Sequence, residues 1–251
     1  MVLYEYPFNE SMRTMLRLEN LFDRLGQLLP RDAAVDHHFA LATLFEIIDV
    51  ANRSDLKSDL LKELDRFKSQ YVGWRSNPQV SQQALDKTIE RLESAFQQLN
   101  QQSGKAGQSL LGHEWLSSVR TRLGIPGGTC EFDLPAYFAW QQRSSERRRA
   151  DLMGWLATMA PLAEGLQVML QSLRETAAPH KVVTSAGLYQ QSLPAGRGYQ
   201  LLRLHIDPEP ELVPEITCHR LMVGVRLMRV DEEGRLRPAN ADASFDLALC
   251  G

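Results

Sequence analysis

The sequence predicts an α+β protein: a mainly helical domain over residues 9–178, packed against a smaller antiparallel β domain made of residues 1–8 and 179–251. Three observations predict it. Apolar residues recur at three- and four-residue spacing through most of the first 178 positions, the texture changes after Pro179 to short period-two segments broken by glycine and proline, and residues 2–6 are themselves strand-like and able to join that later sheet. With 251 residues and 43% hydrophobic content, the chain can bury a large core.

The first helix is expected over 9–29, where Met12, Met15, Leu18, Leu21, Phe22, Leu25 and Leu28 form one stripe and Pro30 ends it. A second, over 36–51, carries Phe39, Leu44, Phe45, Ile47 and Ile48 around most of its circumference, the pattern of a central packed helix. A third starts near residue 54, with Leu56, Leu60, Leu64 and Phe67 on its stripe, and is broken by Gly73 and Pro78. Ser81 can cap a fourth that runs to about 102 through Leu85, Ile89, Leu92, Phe96 and Leu99. A short helix over 113–123 carries Arg120 and Arg122. The stretch 124–135, with three glycines and two prolines, reads as irregular, with Ile125, Phe132 and Leu134 pinning it to the core. Helices then follow over 135–142 and 145–177, the latter bent or divided at Pro161.

Strands are expected at 181–185, 188–192, 201–206, 220–230 and 244–249. In the longest, Leu221, Val223, Val225 and Leu227 alternate with Arg220, Met222, Gly224 and Arg226, so one face is expected to be core and the other open to a partner. In 201–206, Leu202, Leu204 and Ile206 alternate with Leu201, Arg203 and His205. If the two strands lie close in one sheet, Arg203, His205, Arg220 and Arg226 make a local basic surface; the alternative is pairing with Glu209, Glu211, Glu215 or Asp231.

Composition narrows the function. The 28 basic and 31 acidic residues give a formal charge of −3, so no overall basic field favours nucleic acid. Three widely spaced cysteines, Cys130, Cys218 and Cys250, fit a reducing compartment better than a disulfide framework. The N-terminus lacks a signal-peptide pattern and no run approaches about 18 apolar residues, so a cytoplasmic protein without membrane insertion is expected. The six histidines, among them the adjacent His37 and His38, show no ligand spacing, so no metal or other cofactor is expected and surface or capping roles suffice. No nucleophile elbow or Walker loop is present, and the expectation is a binding protein rather than an enzyme. Arg143, Arg147, Arg148 and Arg149 open a helix against its dipole; a solvated face is the favoured reading and a binding patch the other.

A set of ordered motifs adds a family resemblance. They are Pro7 with Asn9 and Glu10; Met-Arg-Thr-Met-Leu-Arg at 12–17 with Glu19; Leu-Leu-Lys-Glu-Leu-Asp-Arg at 60–66; Ile-Pro-Gly-Gly at 125–128 with Cys130; Phe-Asp-Leu-Pro at 132–135; Tyr189 and Gln190; Leu-Leu-Arg-Leu at 201–204; and His219 followed by Arg226. In these the sequence resembles, along nearly its whole length, the ZapD family of Z-ring-associated division proteins. The resemblance implies a helical dimerisation domain and a partner-binding β domain. It also implies a homodimer that binds the acidic and apolar C-terminal tail of the tubulin-like FtsZ, cross-links its filaments and sits on the division ring at mid-cell. The basic positions it carries over are Arg17, Arg53, Arg120, Arg122, Arg203, Arg220 and Arg226, with Arg226, Arg220, Arg203 and Arg53 foremost and His205 beside them on the β face. The chain departs from the family pattern at Met222, Glu114 and Phe138.

Overall fold

The structure is a computed structural model and describes residues 1–251 apart from Arg53, Ser54, Arg197 and Pro210. In chain order the described elements begin with β1 (Val2–Pro7), α1 (Glu10–Leu28), α2 (Ala34–Asn52), α3 (Leu56–Gly73), α4 (Gln82–Gln101), α5 (Gln108–Leu111), α6 (Glu114–Leu123) and α7 (Pro135–Gln141). After α8 (Ser145–Ala157) and α9 (Ala160–Arg174) come β2 (His180–Val183), β3 (Leu188–Ser192), β4 (Leu201–Ile206), β5 (Val213–His219), β6 (Met222–Val230), β7 (Leu236–Pro238) and β8 (Ser244–Cys250). This is the expected α+β arrangement, with β1 joined to the later strands. The chain divides into two compact units, Thr14–Met169 and Met1–Arg13 with Leu170–Gly251. The start of α1 and the last turn of α9 therefore count with the strands.

In the helical unit, α2 is buried almost all round, through Ala40, Leu41, Leu44, Ile47 and Ile48. By contrast, α3 and α4 are amphipathic. Leu56, Leu60, Leu64, Phe67 and Tyr71 of α3 and Leu85, Ile89, Leu92, Ala95 and Leu99 of α4 recur at helical spacing and are buried, and the two helices pair. Gly165 of α9 lets the backbone come close to that pair: a Cβ there would lie 3.3 Å from Leu60 Cδ2 and 3.5 Å from Leu99 Cδ2. The break expected at Pro161 is real, because α8 ends at Ala157 and Pro161 sits in the first turn of α9, where its missing N–H costs nothing. Between α6 and α7 the chain makes a succession of turns. Phe132 there is 79% exposed and Ile125 47%, so these side chains do not pin the loop onto the core as expected. Around α7, the rings of Trp115, Tyr137, Trp140 and Trp155 contact one another at 5.5–6.3 Å between centroids.

The β unit holds two antiparallel sheets, ordered β1-β4-β8-β2 and β3-β6-β5, with β7 also on β6. They share one core. Leu202, Leu204 and Ile206 of β4 and Phe245 and Leu247 of β8 meet Val223, Val225 and Leu227 of β6, with Tyr4, Tyr6, Tyr189, Ile216 and Cys218 packed around them. Alternation thus sets the inner face, as read from the sequence. Two strand expectations need correction. β5 was not anticipated, because Pro214 interrupts its pattern; the strand lies at the edge of its sheet, where a missing N–H is tolerated. And β6 starts at Met222, since Arg220 and Leu221 form the turn of the β5–β6 hairpin.

Candidate functional site

Register places the residues on the outer face of the second sheet in rows. Arg226 stands between Leu188 of β3 and Glu215 of β5; Gly224 between Gln190 and Thr217; Met222 between Ser192 and His219. A Cβ on Gly224 would lie 2.7 Å from Thr217 Oγ1, so the Thr217 side chain covers this position between the Arg226 and Met222 rows, and only glycine fits beneath it. The face is open to solvent: Leu188 is 41% exposed, Met222 37% and the turn residue Leu221 57%. Among the described residues, Arg226 is paired with Glu215 alone, at 4.0 Å, with both side chains 56% exposed. Such a pair is worth little and is readily exchanged for an outside anion. The local alternative weighed from the sequence, pairing with Glu215, is thus present but loose.

At the end of the hairpin, Arg220 and His219 border a pocket of about 270 Å3 that is also lined by Phe8, Leu193, Tyr199 and Cys218. Burial pushes the Cys218 thiol up to about 12, so it stays protonated and is not a nucleophile at neutral pH.

The other expected residues are placed differently. Arg203 and His205 point outward from β4, but β4 pairs with β1 and β8, in the sheet across the core from β6. The single basic surface expected from both strands is therefore not formed. Arg203 Nε donates to Glu5 Oε1 at 2.9 Å, and the same carboxylate is gripped by Arg174 at 2.9 and 2.6 Å. That trio is mostly buried, so the charge of Arg203 is already answered. His205 is half-buried opposite Asp246.

Arg17, Arg120 and Arg122 belong to the helical unit. Arg17 is exposed on α1, Arg120 is paired with Asp49, and Arg122 is 3.4 Å from Asp133. Arg53 lies outside the described residues. Of the departures, Met222 adds apolar surface to the open sheet face, while Glu114 and the 41% exposed Phe138 lie in the helical unit. Reading strands from sequence missed Thr217 and His219, because they belong to the unanticipated β5; the Glu-Ile-Thr-Cys-His alternation at 215–219 was the available signal.

Both the solvated-face and binding-patch readings of the arginine run fail at Arg148, which is 5% exposed and bonded to backbone carbonyls. Likewise His37 is 0% exposed, not on the surface. Among the described residues, no group of three or more His, Cys, Asp or Glu could hold a metal ion, and no helix is long and apolar enough to cross a membrane.

The protein is thus an α+β protein whose second sheet leaves apolar and basic side chains together in water. The ZapD family, described as a cell division protein, matches residues 16–226. Relatives that share this description include the cell division protein ZapD of Ralstonia pickettii (strain 12J), 51% identical over 251 residues, with 100% of this chain and 99% of the relative covered. Those of Cupriavidus necator and Cupriavidus metallidurans are 51% and 49% identical over the same coverage. The chain belongs to the ZapD family of cell division proteins.

Proposed function

We propose that this protein binds the C-terminal tail of FtsZ and, as a homodimer, ties FtsZ filaments side by side in the cytoplasm at the mid-cell ring. The observation that carries the reading is the open outer face of the β3-β6-β5 sheet, where Arg226 stands between the exposed Leu188 and Glu215 and, among the described residues, is paired only loosely with that glutamate. A tail that mixes acidic with apolar residues is its physical complement. Arg226, Arg220 and His219 steer and orient the acidic groups, while Leu188, Met222 and the hairpin pocket receive apolar side chains.

The helical domain supplies the dimer contact and the strand domain the tail contact. A two-fold dimer presents the face twice, and a filament presents a tail on every subunit, so weak single contacts become strong collective ones. The chain does this without catalysis, nucleotide or metal, since geometry and valency suffice. Arg203 serves the fold through Glu5 rather than the tail.

Fluorescence anisotropy with a labelled FtsZ tail peptide tests the reading. Wild-type protein is expected to bind at about the micromolar level, more weakly as salt shortens the Debye length below about 8–10 Å. Arg226→Glu sets a second carboxylate beside Glu215 and is expected to weaken binding at least about tenfold. Undiminished binding by that variant moves the site off this sheet, and a wild-type protein that ignores the peptide removes the partner. A monomeric variant is expected to bind the peptide yet fail to bundle filaments.

A further inference from the structure

Arg148 sits at the start of α8, is buried, and makes no ion pair with a carboxylate among the described residues. Its guanidinium instead donates to backbone carbonyls: Nη1 to Gln141 O at 2.9 Å and to Arg143 O, Nη2 to Asp32 O at 2.6 Å. Its Nε–H points at Nδ1 of His37 on α2 at 3.0 Å. Arg149, next along α8, donates to Leu29 O at 2.9 Å and Pro30 O at 3.1 Å. Two successive arginines therefore hold α8 on the turn that joins α1 to α2.

The His37 contact dictates a protonation state. Guanidinium can only donate, so Nδ1 must accept, which puts the ring proton on Nε2, facing Leu29 O at 3.4 Å. A second proton could go only on Nδ1. It would set donor against donor and cation against cation at 3.0 Å in a site 0% exposed to water. Surrounding anions do not relieve this: Asp32 is engaged by Arg149 at 2.9 Å, and Asp36 by Arg31 at 3.3 Å. From α7, Tyr137 Oη takes His38, 2.6 Å away, and not His37.

We propose that the Arg148–His37 pair is an acid-released clasp: protonation of His37 and the closed seat of α8 on the α1–α2 turn are mutually exclusive. Burial, and after it the neighbouring guanidiniums, hold His37 below the ordinary histidine value, against the opposing pull of Leu29 O. With the folded value depressed, the closed state is fully favoured above the free-histidine value of about 6.5. It loses that advantage as pH falls from there to the folded value, by about tenfold per pH unit for a single proton. The α7–α8 region opens while the rest of the helical unit stays folded.

Hydrogen exchange of the full chain, corrected for the intrinsic pH dependence of exchange, reads the clasp directly. Between pH 7 and pH 5, amides at 147–152 are expected to lose at least about tenfold in protection, while those of α3 and α4 hold. His37→Gln keeps a neutral acceptor that does not titrate, and is expected to stay within about twofold across the range; His38→Gln is expected to behave like wild type. The proposal is overturned if His37→Gln loses protection as wild type does, or if α3 and α4 open together with α8. Should His37→Gln not fold, NMR of wild type decides: the Arg148 Nε–H signal must vanish as His37 titrates, and its persistence beside a protonated ring refutes the clasp.

Discussion

Replacing Glu5 by Gln is the perturbation whose cost the structure specifies best. The carboxylate of β1 accepts from Arg203 on β4 and from Arg174 at the end of α9, and the three side chains are only 15%, 21% and 24% exposed. Glu5→Gln removes the one negative charge and leaves two guanidiniums facing each other where little water can screen them. Breaking a fully buried pair costs about 3–5 kcal/mol. Residual exposure scales that to about 2–3 kcal/mol, a 30- to 150-fold change in the opening equilibrium. Tryptophan fluorescence is blind to it, since Trp74, Trp115, Trp140 and Trp155 all lie in the helical unit. The assay is native-state hydrogen exchange of β4 and β8 amides at neutral pH, with α3 and α4 as internal controls. A loss below about 0.5 kcal/mol in those strands, the range of an ordinary surface substitution, would refute the argument that Glu5 ties sheet and helix end together.

Other expectations follow from the same geometry. Arg203→Met should destabilise the β4 amides by about 1 kcal/mol, since Arg174 still holds Glu5, yet change tail-peptide affinity less than about twofold in the anisotropy assay. Gly187→Ala should cost about 2–4 kcal/mol by urea denaturation followed by tyrosine fluorescence: the residue has φ +76°, and a Cβ would meet Ala239 O at 1.8 Å. Iodoacetamide at pH 8, read by mass spectrometry, should label the part-exposed Cys130 well before Cys218, whose thiol, pushed up to about 12, holds a thiolate fraction of about one in ten thousand.

Much of the fold was legible because local patterns report burial directly. The stripes of α1, α3 and α4 and the alternation of β4 and β6 each show which side faces a core, and the core used those sides. Pro161 marked the break before α9 for a reason local to its ring. β5 was hidden because a proline in a strand is acceptable only at an edge, and edges are a property of the assembled sheet. Phe132 and Ile125 misled because an apolar side chain in a glycine- and proline-rich loop need not be buried.

Sequence by itself determined the α+β class, the faces of the helices and strands, and, through ordered motifs along the chain, the family. Which arginines are free for a partner was decided only by tertiary structure. Arg226 and Arg203 look alike in sequence, each outward on an alternating strand, yet one meets a loose, exposed Glu5-like neighbour in Glu215 and the other is locked to Glu5 itself. Arg148 and His37 are 111 positions apart and became a buried pair only when α8 was seated on the α1–α2 turn. The physical reason is the same throughout: periodicity reports whether a side chain leaves water, while the charge it meets there comes from strands and helices distant in sequence.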